Sequence, residues 1–260
     1  MKNIVILLSN RIIKIIANLV KAACYLFHVF FPNKRFIIPS YSKRLFSNKK
    51  KSIIPRTLWQ TNYTNSVTLA IYINYLFNRL LAYDFDIRFM VTEERSEFIK
   101  SIFSPEIFES YSRIQIGAAQ ADFWRLLVLY KEGGVYMDID AHLVWPLSSI
   151  VKADLDELYC KTKKNDFTTY FIASKSDNEN LKKMIDTILI NIDENVLENV
   201  FMLTGPGILN QILNINEVNT TYYKYTCDQG NFTNDYFQYI DKPEGKWTNA
   251  QKVMDIIKKK

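Results

Sequence analysis

The sequence predicts an α/β domain with a largely parallel sheet, and three observations carry that reading. Strand-like and helix-like segments alternate from Ile53 to Leu213. Within them, Ala118 to Lys131 is a run of strong helix formers free of Gly and Pro, stopped by Gly133-Gly134. The strand expected next, Val135-Tyr136-Met137, ends on Asp138 and Asp140, which share one face if the chain stays extended.

Taken in order, Ile53 to Trp59 reads as the first strand, Ser66 to Leu81 as a helix and Asp86 to Val91 as the second strand. Glu93 to Phe103 and Pro105 to Ser112 read as short helices, with Pro105 suited to a first helical position. The long helix and its strand come next. Beyond Pro146, Leu158 to Cys160 and Thr169 to Ala173 read as strands, and Asn178 to Ile192 and Gly207 to Leu213 as helices. A chain of 260 residues with 48% hydrophobic content can bury one sizeable core, so one catalytic-size domain is expected. Cys24, Cys160 and Cys227 are far apart, odd in number and lack C-x-x-C spacing, so neither a disulfide framework nor a zinc site is indicated and a reducing compartment fits best.

The pattern D-x-D occurs three times, at Asp84-Phe85-Asp86, Asp138-Ile139-Asp140 and Asp154-Leu155-Asp156. Only the middle copy ends an apolar strand preceded by a glycine pair and a long helix. The other two read as solvated turns or caps. Acids rarely enter a hydrophobic setting unless paired or metal-bound, so a divalent cation is favoured for the middle pair over a carboxylate pair capping the next turn. His142 lies on the same face if extension persists, either as a further ligand or as a hydrogen-bonded structural residue.

The ordered set Ala121-Asp122-Phe123-Trp124-Arg125-Leu126-Leu127, Leu129-Tyr130, Gly133-Gly134-Val135-Tyr136 and Asp138-Ile139-Asp140 resembles the sugar-binding region of the DXD glycosyltransferases of family 32. That family includes fungal outer-chain mannosyltransferases and bacterial capsule and lipopolysaccharide sugar transferases, and is distantly similar to the clostridial glucosylating toxins. Ile54 to Thr61 resembles its opening strand and Thr204 to Gly207 its downstream turn, so the resemblance covers about residues 52 to 215. It implies a GT-A fold: one Rossmann-like nucleotide-sugar-binding domain with helices flanking a mostly parallel sheet. It also implies Mn²⁺ or Mg²⁺ held by Asp138 and Asp140, with Asp140 the more direct contact, and a UDP- or GDP-hexose donor. Asp122 and Arg125, otherwise readable as a surface ion pair three residues apart, would face the donor's hydroxyls and phosphate. Trp59, with Gln60 and Thr61, either cradles the nucleotide base or serves the core. Gly134 serves the chain turn and lets a sugar approach the backbone. Trp247, in Gly245-Lys246-Trp247-Thr248, corresponds to the family's segment closing over the diphosphate, although Lys246 stands where relatives carry a small residue. Catalytic roles thus fall to Asp138, Asp140, Asp122 and Arg125.

Charge divides the chain. Residues 1 to 83 hold thirteen Lys or Arg and no acid, whereas the remainder holds twenty basic and twenty-seven acidic residues. Apolar residues interleave the basic ones, which argues against nucleic acid as the partner. At 100° per residue, Arg11, Lys14, Asn18, Lys21, Tyr25 and His28 fall within an arc of about 100°, opposite a broad apolar face. A Lys near the centre of a spanning helix costs about 2.5–3.5 kcal/mol, so an interfacial helix is favoured over a span. The expectation is a segment 1–48 lying on a membrane with its basic stripe, helped by Lys34, Arg35, Lys43, Arg44 and Lys49 to Lys51, meeting anionic headgroups. Packing of this helix on the catalytic domain is the competing arrangement. Residues 49–260 would then be the catalytic domain, peripheral to the cytoplasmic face. The implied activity is retaining transfer of a hexose to a capsule, lipopolysaccharide or other lipid-linked saccharide. A protein-glucosylating effector and a non-catalytic partner subunit are the alternatives.

Overall fold

Side-chain alternation along the strand Gly134–Met137 sorts the core into two layers. Val135 and Met137 pack with Leu58, Ile87 and Phe89 against the helix Leu69–Leu81. Tyr136 points the other way, joining Trp59, Trp124 and Ile172 beneath the helices Gly117–Glu132 and Glu179–Glu194. The structure is a computed structural model that describes residues 2–47, 50–197 and 199–258.

The central sheet has seven strands in the order Thr220–Tyr222, Glu157–Lys161, Phe167–Ser174, Gly134–Met137, Thr57–Thr61, Asp86–Met90 and Tyr41–Ser42. Three neighbouring pairs are parallel and three antiparallel, so the sheet is mixed rather than largely parallel. The cause is local. Glu157–Lys161 and Phe167–Ser174 are joined by a short turn, which permits only antiparallel pairing. The first strand begins at Thr57, and the helix expected from Ser66 begins at Leu69, because Ser66–Val67 pairs with Phe36–Ile37 as a short antiparallel strand. Asn178 caps the helix Glu179–Glu194, its Oδ1 accepting from the Asn180 and Leu181 amides.

From Thr57–Thr61 the chain runs first to Asp86–Met90 on one side and then to Gly134–Met137 on the other. The carboxyl ends of these strands therefore face a topological switch point, where α/β sheets hold ligands.

Gly133 and Gly134 both have positive φ. A β-carbon on Gly134 would lie 2.7 Å from the Thr57 carbonyl oxygen and 3.0 Å from Trp59 Nε1. The close approach of the neighbouring strand thus requires glycine at 134. Trp59 completes the contact by donating its indole N–H to the Gly133 carbonyl at 2.9 Å.

The N-terminal helix spans Lys2–Phe30, and Lys14, Lys21 and His28 of its polar stripe turn to the protein. Lys14 pairs with Asp228 at 2.5 Å, Lys21 donates to the Gly230 carbonyl at 2.8 Å and Asn10 donates to the Lys224 carbonyl at 3.1 Å. Tyr25 accepts from Asn234, and His28 accepts from the Leu69 amide. Arg11 and Asn18 of the predicted stripe stay exposed. The opposite face, with Ile4, Leu8, Ile12, Ile15, Leu19 and Leu26, is exposed. This reverses the expected orientation of the stripe. The helix is also long and apolar enough to cross a membrane by length and composition.

Other basic residues of the front are likewise spent internally. Arg35 pairs with Asp241, Arg44 with Asp86 and Arg56 with the buried Asp84. Asp84 and Asp86 are therefore latches, not a solvated turn. Tyr41–Ser42 pairs antiparallel with Asp86–Met90 at the edge of the central sheet. Lys49 and the 48/49 boundary lie outside the described residues.

Gly134→Ala is expected to destabilise the protein by on the order of 2 kcal/mol or more, read from urea unfolding. A change below about 0.5 kcal/mol would mean that the strands can separate to admit the methyl.

Candidate active site

Strand geometry ends at Met137, and Asp138 to Asp140 forms a turn closed by the Ala141 amide donating to the Asp138 carbonyl at 3.1 Å. The two carboxylates converge through this turn, not through an extended pleat. Ile139 between them is buried in the opposite core layer. Helix Leu69–Leu81 clamps the turn from below. Asn74 Nδ2 donates to the Ile139 and Ala141 carbonyls at 2.7 and 2.9 Å, and Asn78 donates to the Ala141 carbonyl while accepting from the Leu143 amide, both at 2.8 Å. Both side chains are fully buried, so these bonds satisfy backbone groups that water cannot reach.

Above the turn, Arg125 gathers the polar groups. Its Nη2 lies 2.8 Å from Asp122 Oδ1 and its Nη1 lies 3.2 Å from Asp138 Oδ1. Nη1 also donates to the Thr169 carbonyl at 2.6 Å, and the guanidinium sits 4.3 Å from the Tyr136 ring centroid. Tyr136 donates its hydroxyl to Asp138 Oδ1 at 2.7 Å. The Asp122–Arg125 pair is thus buried and inward-facing, unlike a solvated helix pair.

Gln229 completes the floor. It arrives on Cys227–Gln229, a strand antiparallel to Ala141–Leu143, and its Nε2 donates to Asp138 Oδ2 at 3.2 Å and to Asp140 Oδ1 at 3.0 Å. Burial and the neighbouring Asp138 charge push the Asp140 carboxyl up to about 7, against the lowering effect of Gln229. Burial likewise raises Asp122 to about 7, with Arg125 opposing and Asp138 adding to the shift. A site holding surplus negative charge in this way favours a proton or a cation.

These groups line one wall of a cleft of about 610 Å³. Thr61, Asn62, Thr92 and Arg95 line it near the ends of the two parallel strands, while Tyr239, Lys246 and Trp247 face it from the C-terminal segment. Arg95 is buried, donates to Thr92 Oγ1 at 3.0 Å, leaves its Nε without a partner and has no carboxylate partner among the described residues. Of the predicted nucleotide-binding residues, Thr61 and Trp247 reach the cleft. Trp59 and Gln60 do not, since strand alternation and the Gly133 bond hold Trp59 in the core, edge-on to Trp124.

His142 is also away from the cleft, because the turn breaks the extension that would align it with the carboxylates. It lies between Phe77 and Phe232 with neither ring nitrogen partnered. Gln229 and Arg95, which line the cleft, and Asn74 and Asn78, which hold the turn, are residues that the sequence did not single out. Gln229 and Arg95 belong to no motif, while Asn74 and Asn78, four apart on a helix, carried only the weak signal of amides at apolar-face spacing.

The donor set fits a hard divalent ion: two carboxylates converge, and a carboxamide touches both. No third His, Cys, Asp or Glu joins them among the described residues.

Residues 71–156 match the protein family described as "Glycosyltransferase sugar-binding region containing DXD motif". The match takes in Asn74, Asn78, Arg95, Asp122, Arg125, Asp138 and Asp140. The "Uncharacterized glycosyltransferase L373" of Acanthamoeba polyphaga mimivirus is 38% identical over 58 residues, which span 22% of this chain and 23% of that protein. Among solved structures, the PaToxG glycosyltransferase is 18% identical over 76% of this chain and 74% of its own, with a TM-score of 0.45. The UDP-bound glycosyltransferase domain from the YGT toxin is 13% identical over 56% and 54%, with a TM-score of 0.39.

Burial lowers His142 from its ordinary value of 6.5 to about 4. Its folded value lies below its unfolded one, so its contribution to stability is present above about pH 6.5 and is lost as pH falls toward 4. His142→Phe is expected to gain on the parent by on the order of 2–3 kcal/mol between pH 7 and pH 4, read from urea midpoints. A difference that stays flat across that window would show that the ring is solvated.

Proposed function

We propose that this protein is a retaining, metal-dependent glycosyltransferase of the GT-A type that moves a hexose from a UDP- or GDP-sugar to a lipid-linked or other cell-surface saccharide. The observation that carries the reading is the Asp138–Asp140 turn, joined to Asp122 through Arg125, at the switch-point crevice of an α/β sheet. In this reading the donor's diphosphate lies at Asp138 and Asp140, its sugar hydroxyls meet Asp122, and its nucleotide runs toward Thr61 and Arg95.

Mg²⁺ or Mn²⁺, when bound, neutralises the negative charge that grows on the departing diphosphate. Asp140 and Asp138 would hold it. Arg125 keeps Asp122 and Asp138 at fixed positions, so a sugar and a phosphate can be oriented without side-chain rearrangement. Arg95, a buried guanidinium lacking a carboxylate partner among the described residues, supplies fixed positive charge on the nucleotide side. Trp247 and Lys246 wall the cleft on the side where a closing segment would shield the diphosphate.

The exposed apolar face of the N-terminal helix supports a peripheral seat on a membrane, at its cytoplasmic face. Its polar side is already satisfied by the protein, so the apolar face can enter the acyl boundary without stripping those bonds. Exposed Arg11, Lys34 and Lys43 remain for anionic headgroups. A lipid-linked acceptor would then lie at the same interface.

Thermal shift with UDP, GDP and CDP, each with and without Mn²⁺, is expected to show one diphosphate that raises the midpoint only with metal. Asp140→Asn should lower donor hydrolysis at least about 100-fold, the scale of losing one charge-stabilising group. Near-parent turnover in that variant would reject the reading. Ile12→Glu with Leu19→Glu, both on the exposed face, should release the full chain from phosphatidylserine vesicles in flotation and leave donor hydrolysis unchanged. Vesicle binding that persists in this variant would refute the membrane seat.

A further inference from the structure

We infer that Gln229 is a metal-binding residue of this site, its carboxamide oxygen completing the cation's ligand set beside Asp138 and Asp140. The inference rests on the metal-dependent reading above and adds to it a residue that lies outside the family match.

The placement of the side chain carries the argument. Each carboxylate of the pair receives a hydrogen bond from the same Gln229 nitrogen, at 3.2 Å from Asp138 and 3.0 Å from Asp140. One –NH₂ group therefore bridges two acids, and a cation shared by both would take the place of its bridging hydrogens. It is neutral, so it offers hydrogen bonds but does not cancel the charge. The other end of the amide is a hard oxygen acceptor of the kind that Mg²⁺ and Mn²⁺ prefer. The two ends exchange by rotation about the terminal torsion, which is broad and roughly two-fold in glutamine. A half-turn swaps a donor that stands in for the ion for an oxygen that binds it.

The remaining oxygens explain why such a ligand is needed. Asp138 Oδ1 is already engaged by Tyr136 and Arg125, which leaves Oδ2 and the Asp140 carboxylate facing the shared position. No other acidic or histidine side chain joins them among the described residues. Magnesium and manganese favour about six oxygen ligands, so a neutral protein oxygen at this position supplements what water and substrate phosphate provide.

The backbone that carries Gln229 is held on both sides. Lys14 pairs with Asp228, Lys21 donates to the Gly230 carbonyl, and the Gly230 amide donates to the Asp140 carbonyl at 3.4 Å. The side chain can turn while its strand stays in register, the arrangement expected of a pre-positioned ligand.

The test is Mn²⁺ binding to the metal-free full chain, measured by isothermal titration and by loss of the free-ion electron paramagnetic resonance signal, with and without UDP. Gln229→Leu is expected to weaken binding at least about 10-fold. Gln229→Glu, nearly the same shape with one more carboxylate, should tighten it and serves as the folded control should the leucine variant misfold. Gln229→Leu binding Mn²⁺ as tightly as the parent, or more tightly, overturns the inference and leaves the metal reading intact, as does a glutamate variant that gains nothing. A parent that takes up no Mn²⁺ under either condition overturns both.

Discussion

One buried cation organises this protein's cleft. The Arg125 guanidinium sits inside the fold, where charge without partners is costly, and each of its partners comes from a different place in the chain. Asp122 lies one turn earlier on the same helix, Asp138 at the end of the next strand and the Thr169 carbonyl on the antiparallel strand beside it. Satisfying one guanidinium thus locks a helix, a strand end and a neighbouring strand into a single geometry. Two glycines make that approach possible, since a side chain at Gly134 would collide with the strand that bears Trp59.

The lock leaves an imbalance. Arg125 answers Asp122 and Asp138, yet the side chain that meets Asp140 in the same space is a neutral amide. Burial and crowding raise both Asp122 and Asp140 to about 7, so near neutral pH the cluster has unmet demand for positive charge. That demand is a property of the ground state. It is what a divalent cation would satisfy.

The N-terminal third shows the same economy of charge on a larger scale. Residues 1–83 hold no acid, and the fold supplies acids from beyond them: Asp228 to Lys14, Asp241 to Arg35, Asp86 to Arg44 and Asp84 to Arg56. The amphipathic helix therefore turns its polar side inward and its apolar side outward, opposite to the arrangement that charge alone suggests. Lys14 and Lys21 grip the residues on either side of Gln229, so the helix and the floor of the cleft are mechanically continuous.

Local features were legible in the chain itself. The helix Gly117–Glu132, its glycine stop, the apolar strand and the acids beyond it are contiguous, so propensity and spacing sufficed to propose them and the pairing of Asp138 with Asp140, whereas inward-facing roles for Asp122 and Arg125 came from the resemblance to the DXD glycosyltransferases. Strand direction was not legible, because the turn joining Glu157–Lys161 to Phe167–Ser174 decides it. Trp59 and His142 were ambiguous for a related reason: an aromatic ring beside a strand end serves a ligand or a core equally well until the turn of the next residues is known. Gln229, Asn74, Asn78 and Arg95 acquire their roles only from what lies opposite them after folding. Sequence by itself determined which groups carry charge and which segments hold their shape, since both are properties of neighbouring residues; tertiary structure alone decided which charges meet and which faces stay open, since those depend on atoms far apart along the chain.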